Sequence, residues 1–179
     1  MTAQLESAVL GGGCFWCTEA VFQRLKGVHE VESGYANGKY DNPSYREVSS
    51  GLSGYVEVSK VTFDPQVLSY EDLLYIFMTS HDPCSLDRQG ADAGPQYHSG
   101  IYYQNEGQQQ TAERVIGVLA GEYALPIVTE VAPLKKYFPA EAYHQNYYNS
   151  NEEAGYCRIV IEPKIAKLRQ HYADKFISE

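Results

Sequence analysis

Residues 8–17 read Ala8-Val9-Leu10-Gly11-Gly12-Gly13-Cys14-Phe15-Trp16-Cys17, an apolar run that ends in three glycines, a cysteine, two large aromatics and a second cysteine. This order commits the chain to a strand that turns sharply into a helix. Glycine alone accepts the backbone angles and close approaches of such a turn without steric cost. A helix-like stretch follows from Thr18 to Leu25, with Gly27 as its stop. A thiol at the turn meets free backbone N–H groups and the positive end of the helix dipole, and both stabilise a thiolate. The expectation is a reactive Cys14 beside an aromatic wall.

The rest of the chain alternates strand and helix signals. Leu5–Leu10 reads as a strand, Cys14–Leu25 as a helix and Val28–Tyr35 as a second strand, a β-α-β unit. Residues 36–53, rich in Gly, Asn, Ser and Pro, read as a long functional loop. Val56 and Val58 alternate with polar neighbours in a strand over Tyr55–Phe63, which Asp64-Pro65 ends. Ser69 caps a helix over Tyr70–Thr79, with Glu71 and Asp72 in its first turn. Residues 80–98 form a second long loop. Ile101–Tyr103 reads as a strand, Gln108–Glu122 as a helix and Ile127–Val131 as a strand. From Ala132 the pattern is irregular except for a short helix near Ala140–Tyr147, until a terminal helix over Pro163–Phe176. Alternating elements of this kind predict an α/β (α+β) sandwich.

A chain of 179 residues buries about 70% of its unfolded surface, so a single domain over 1–179 is expected. The formal net charge of −9 argues against nucleic acid and against an anionic membrane as partner. No apolar run approaches the ~20 residues of a membrane span. The first residues lack the basic and apolar regions of a secretory signal, so a cytoplasmic location is expected. In a reducing compartment the four cysteines point to redox, metal or catalytic roles rather than staples. Cys14 and Cys17 could form a thioredoxin-like dithiol pair, or half of a zinc site completed by Cys84, Cys157 or a histidine. Alternatively Cys14 is a lone nucleophile whose product another cysteine resolves. The zinc reading lacks a second close ligand pair, so no metal is assigned. Phe15-Trp16 suits a pocket for an apolar group better than a dithiol spacer.

The remaining chemistry gathers in the loops. Asn42-Pro43-Ser44-Tyr45 lies in the first, and His81-Asp82-Pro83-Cys84 and Arg88 to Tyr97 in the second. Tyr143-His144-Gln145 and Gly155-Tyr156-Cys157 follow in irregular stretches, where a cysteine could move to meet another sulfur. The 16 tyrosines need hydrogen-bond partners wherever they are buried. Glu57, between Val56 and Val58, has two readings. Strand alternation turns it to solvent, whereas on a covered face it would be desolvated and serve as a proton donor near neutral pH.

Taken in order, these motifs resemble the peptide methionine sulfoxide reductase A (MsrA) family over about residues 8–160. The resemblance rests on Gly13-Cys14-Phe15-Trp16, Asn42-Pro43-Ser44-Tyr45, Glu57, His81-Asp82-Pro83, Arg88-Gln89-Gly90, Asp92-x-Gly94-x-Gln96-Tyr97, Tyr143-His144-Gln145 and Gly155-Tyr156-Cys157. It implies a two-layer α/β sandwich with a central mixed sheet and a largely irregular C-terminal segment. It further implies a reductase for the S epimer of methionine sulfoxide, free or in proteins, working as a monomer with thioredoxin as partner. No cofactor is implied, the electrons coming from thioredoxin or dithiothreitol.

By that resemblance Cys14 is the nucleophile and Glu57 the acid. Phe15 and Trp16 hold the S-methyl group, Tyr45 and Tyr97 bond the oxygen, and Asp92 orients the substrate. Loss of methionine leaves Cys14 as a sulfenic acid, which a second thiol converts to a disulfide. The Gly-Tyr-Cys setting marks Cys157 as the resolving cysteine, with Cys17 and Cys84 as alternatives. Cys17 stands where the family usually has glycine, Cys84 where threonine is common and His98 where arginine is common.

Overall fold

The computed structural model describes residues 4–177, so the first three and last two positions of the expected domain lie outside it. Three strands at the centre of the sheet carry the site: β1 (Glu6–Gly11), β2 (Val28–Ala36) and β3 (Val56–Phe63). Helix α1 (Phe15–Phe22) connects β1 to β2. Both strands run antiparallel to β3, which lies between them. The expected β-α-β unit therefore exists with a third strand inserted. Helix α2 (Tyr45–Ser49) lies in the first long loop, and α3 (Tyr70–Thr79) follows β3 with Ser69 as its cap, as the sequence predicts. A small hairpin of β4 (Arg88–Gln89) and β5 (Asp92–Ala93) stands within the second loop.

Next come β6 (Gly100–Tyr103), α4 (Glu106–Leu119), β7 (Glu130–Pro133), β8 (Tyr137–Pro139), α5 (Tyr147–Ser150) and α6 (Glu162–His171). The main sheet has the order β7-β6-β1-β3-β2-β8, with only β6 and β7 parallel. Helices α1, α3, α4 and α6 share one buried apolar cluster with β1, β3 and β6, so the architecture is the two-layer mixed sandwich expected. Helix α3 shows why it docks there. Tyr70, Leu73, Leu74 and Phe77 recur at helical spacing and are buried, each large side chain contributing ~1.5–3 kcal/mol. A smaller cluster of Val9, Val56, Val58 and Tyr102 fills the opposite face. None of the described helices is long and apolar enough to cross a membrane.

Four expectations need correction. The first loop holds α2, whose Ser44 and Glu47 form a reciprocal capping box, a Ser-x-x-Glu signal legible in the sequence. The strand expected at Ile127–Val131 starts only at Glu130, because the Val128 N–H is taken by the Pro83 carbonyl. The C-terminal segment is less irregular than expected: β8 extends the sheet by pairing with β2. Asn37 holds the approach to β8, its side chain accepting from the Lys135 and Lys136 N–H groups. The terminal helix ends at His171 rather than Phe176. Beyond it the chain turns back onto the end of α1, with Lys26 N–H on Lys175 O and Ile177 N–H on Arg24 O.

Candidate active site

Cys14 is the N-cap of α1, directly after Gly13 at φ +92°. A Cβ on Gly13 would approach the Gln89 side chain to 2.8 Å, so this position needs glycine both for its angle and for its neighbour. Gln89 also clamps the turn's surroundings, its amide bonding the N–H and C=O of Asp82. His81 lies under Gly12 and bridges Phe77 O and Ser99 Oγ at 2.8 and 2.7 Å. The Phe77 carbonyl can only accept, so Nδ1 carries the proton. Burial pushes His81 down to about 4, and the ring stays neutral. Both residues shape the turn beneath Cys14.

Glu57 is 1% exposed. Its Oε1 accepts the Phe15 N–H at 3.1 Å, while Oε2 has no partner among the described residues. The solvent-facing reading fails because both faces of β3 are covered. Val56 and Val58 join the small cluster, and the alternate residues Ser59, Val61 and Phe63 face α1 and the main core. Burial raises the Glu57 carboxyl to about 8, against the Phe15 N–H that favours its charged form. It is therefore largely protonated at neutral pH.

The thiols hold a different charge distribution from the one the sequence predicts. The helix N-terminus favours a Cys14 thiolate as expected, through the Trp16 N–H. It is outweighed by the hydrogen bond to Cys17, by burial and by Glu57, which hold the Cys14 thiol well above its ordinary value. Cys17 is lowered to about 7 by the Cys14 hydrogen bond, with help from Lys164 and Tyr156 against the effect of burial. Of the two thiols, Cys17 is the one that ionises more readily, with the Cys14 S–H as its hydrogen-bond donor.

The aromatic wall is braced from the C-terminal segment. Trp16 stacks on Tyr147 with ring centres 3.8 Å apart and 8° between planes. Its Nε1–H donates to His144 Nδ1 at 3.1 Å. Phe15 is buried between Tyr35 and His144. Tyr45, the first residue of α2, packs on His144 at 4.3 Å and donates its N–H to Glu141. The Tyr45 and Tyr97 phenols both lie within electrostatic reach of Glu57 and Cys14, and both are raised chiefly by burial. Asp92 bonds the Tyr156 hydroxyl at 2.9 Å.

Cys157 is fully buried, and burial raises its thiol. It begins a π-helical turn, Cys157–Ile161, that runs directly into α6, and so does not lie in an irregular stretch. It sits within electrostatic reach of Cys17. Cys84 is engaged elsewhere, its Sγ donating to Leu125 O. Among the described residues no group of three or more His, Cys, Asp or Glu could hold a metal ion.

Two residues that sequence reasoning passes over, Glu19 and Glu141, and one tyrosine it leaves without a role, Tyr147, organise the site. Glu19, 1% exposed, accepts from Ser33 Oγ and the Tyr147 N–H and so ties α1 to the segment that holds Trp16. Its signal is a carboxylate among Ala20, Val21 and Phe22. Glu141 gathers the Tyr35 hydroxyl and the Tyr45 N–H, and Tyr147 supplies the stack. Glu141 and Tyr147 sit in stretches whose polarity resembles any surface loop.

The model of the family described as peptide methionine sulfoxide reductase matches residues 6–176. MsrA of Deinococcus radiodurans is 53% identical over 175 residues, covering 97% of this chain and 85% of that protein. MsrA of Thermus thermophilus is 51% identical over 167 residues, covering 93% and 95%. Methionine sulfoxide reductase A of Corynebacterium diphtheriae superposes with a TM-score of 0.81 at 33% identity, covering 84% of this chain and 76% of that one. Reduced Mxr1 of Saccharomyces cerevisiae gives 0.79 at 30% identity, covering 86% and 90%. A protonated buried carboxyl beside paired thiols and a braced tryptophan is thus found in a chain that belongs to the peptide methionine sulfoxide reductase family and reduces methionine sulfoxide.

Proposed function

We propose that the enzyme reduces the S epimer of methionine sulfoxide, free or within proteins, by thiol chemistry in one catalytic domain acting as a monomer. The observation that carries this reading is the Glu57 carboxyl: protonated at neutral pH, with one oxygen held by Phe15 N–H and the other free. Sulfoxide oxygen is a poor leaving group until it is protonated. Cys14 attacks the sulfoxide sulfur, passing its proton to Cys17, while Glu57 protonates the oxygen. Methionine departs, Cys14 becomes a sulfenic acid, and the negative charge that began on Cys17 ends on Glu57. Tyr45 and Tyr97 donate to the oxygen, Asp92 orients the substrate, and Phe15 and Trp16 hold the methyl group. Fixing oxygen and methyl on opposite sides of the attacked sulfur admits one epimer, because the mirror image exchanges the two.

Cys17, already in contact with Cys14, takes the first disulfide, and Cys157 then receives it by exchange with Cys17. A low-potential dithiol of the thioredoxin type, in a reducing cytoplasm, restores the thiols, and dithiothreitol replaces it in the test tube. The two electrons come from thiols, so the reaction calls for no metal or organic cofactor. Anaerobic enzyme without reductant is expected to form two equivalents of methionine per chain, the second after exchange frees Cys14. Cys157→Ser is expected to stop at one. A wild-type yield of one overturns the handover, and equal yields from the R epimer overturn the stereochemistry.

The brace on Trp16 has its own test. Tyr147→Ala removes a stacked pair contributing ~0.5–1.5 kcal/mol, so KM is expected to rise about 2- to 12-fold with kcat less affected. Trp16 is the only tryptophan, and its fluorescence reports the loss directly. An unchanged spectrum and KM would show that the stack has no part in binding.

A further inference from the structure

A polar chain leads away from the thiol pair through Tyr156 to Asp92. Cys17 Sγ lies 3.4 Å from the Tyr156 hydroxyl, and that hydroxyl donates to Asp92 Oδ2 at 2.9 Å. A phenol has one proton. With that proton committed to Asp92, a Cys17 thiol, the form left once it has taken the Cys14 proton, is the donor in the first contact. Protons can therefore move from sulfur to phenol oxygen as the phenol's own proton moves to the carboxylate. Tyr156 then presents its new proton to the Cys17 thiolate and stabilises it.

We infer that Tyr156 and Asp92 are the proton exit for Cys17 in the step that closes the first disulfide, with Tyr156 a catalytic residue of resolution and Asp92 its positioned acceptor. This rests on the reading that Cys17 resolves the Cys14 sulfenic acid. The first half-reaction leaves Cys17 as a thiol, because it has taken the Cys14 proton. To attack, it must lose a proton in a buried setting. The Cys17 sulfur displaces hydroxide from the Cys14 sulfur, an S–S bond forms and the S–O bond breaks. The Cys17 proton passes through Tyr156 to Asp92. The hydroxide leaves as water with a proton from solvent, and Asp92 returns its proton to solvent. The sulfenic sulfur is reduced and the Cys17 sulfur oxidised, and no outside oxidant enters.

Two features support the path. Burial, reinforced by the two thiols, holds the Tyr156 phenol far above its ordinary range, so Tyr156 conducts a proton without itself remaining ionised. The Tyr156 ring stands edge-on to Trp16 with ring centres 5.9 Å apart, which holds its hydroxyl beside Cys17. The other groups facing Cys17 are Cys14, Lys164 from α6, Glu57 from β3 and Cys157. Of these, the Lys164 ammonium has no lone pair for a proton, Glu57 makes no hydrogen bond to Cys17, and Cys14 and Cys157 are reactants.

The test uses the full-length enzyme with one equivalent of methionine-S-sulfoxide and no reductant. Methionine release, dimedone-reactive sulfenic acid and free thiols are followed in the same sample. Tyr156→Phe keeps the ring against Trp16 and removes only the hydroxyl. It is expected to slow disulfide formation relative to methionine formation by about tenfold or more, so that Cys14 sulfenic acid accumulates. Its disulfide rate is expected to climb with pH as Cys17 ionises unaided, where the wild-type rate is flatter. Asp92→Asn, which keeps the shape and removes the acceptor, is expected to shift the same ratio. A Tyr156→Phe enzyme that closes its disulfide at the wild-type rate and with the wild-type pH profile overturns the relay alone. A Cys17→Ser enzyme that still closes a disulfide at full rate overturns both the relay and the assignment of Cys17.

Discussion

Replacing Cys14 with serine is expected to reduce turnover of methionine-S-sulfoxide by at least about 10³-fold with dithiothreitol as reductant. A serine hydroxyl does not ionise in the accessible range and is a weak nucleophile toward sulfur. It also cannot form the sulfenic acid from which the reductant draws the oxygen. The rest of the site does not depend on the sulfur: Glu57 keeps its bond to Phe15 N–H, and Trp16 keeps its stack and its bond to His144. The variant is therefore expected to bind substrate nearly as wild type, visible as a change in Trp16 emission, while forming no methionine. The comparison also separates two roles for the Cys14–Cys17 pair. Were Cys17 the attacking sulfur, Cys14→Ser would retain single-turnover methionine. A dithiol carrier would retain neither turnover nor binding of the sulfoxide. Substantial steady-state turnover by Cys14→Ser would sink the nucleophile assignment.

Glu57→Gln is expected to lower kcat/KM by about 10²–10⁴-fold while making the protein more stable. The glutamine side chain would keep an oxygen for the Phe15 N–H but have no acidic proton for the leaving oxygen. The wild-type rate should fall as pH rises through about 8, the region where the buried carboxyl ionises. That limb should vanish in the variant.

The stability effect follows from the direction of the same shift. The folded carboxyl is raised to about 8 from an unfolded value near 4.5. The native state thus holds the proton more tightly than the unfolded chain does. Its contribution to stability is full below about 4.5 and is lost progressively as pH climbs to about 8. At pH 7 a wild-type chain must take up this proton to fold, a cost of about 3 kcal/mol that glutamine escapes. Each kcal/mol moves Tm by roughly 2–4 °C in a protein of this size. A thermal melt at pH 7 and another at pH 4 should show the gain at pH 7 and little at pH 4. A variant that loses activity and is destabilised equally at both pH values would count against the buried acid.

Much of the architecture is legible in the sequence because it is local. The helix over Tyr70–Thr79, its Ser69 cap and the strand through Val58 follow from spacing and capping within a few residues. So does the glycine turn before Cys14. The elements that the sequence conceals lack a local signature of sufficient length. Strand β8 has three residues and exists because β2 accepts it as a neighbour. The Cys157 segment reads as loose around Gly155, yet becomes helical where Cys157, Ile161, Ile165 and Leu168 bury against the core.

The sequence by itself determined that a cysteine stands at a glycine-rich strand-to-helix turn beside two aromatics, and it named the carboxylate and the tyrosines near which chemistry could occur. Tertiary structure decided the protonation states and the partners. Glu57 meets Phe15 across 42 positions of chain, Trp16 meets His144 across 128, and Cys17 meets Tyr156 across 139. A pKa depends on what excludes water and which dipoles face the group, and the burial that excludes water comes from the whole fold. Strand period alone left Glu57 facing water or protein. Only the helix laid across β3 made it an acid, and the segment folded back onto α1 added Lys164 and Tyr156 to the Cys14 hydrogen bond that lowers Cys17.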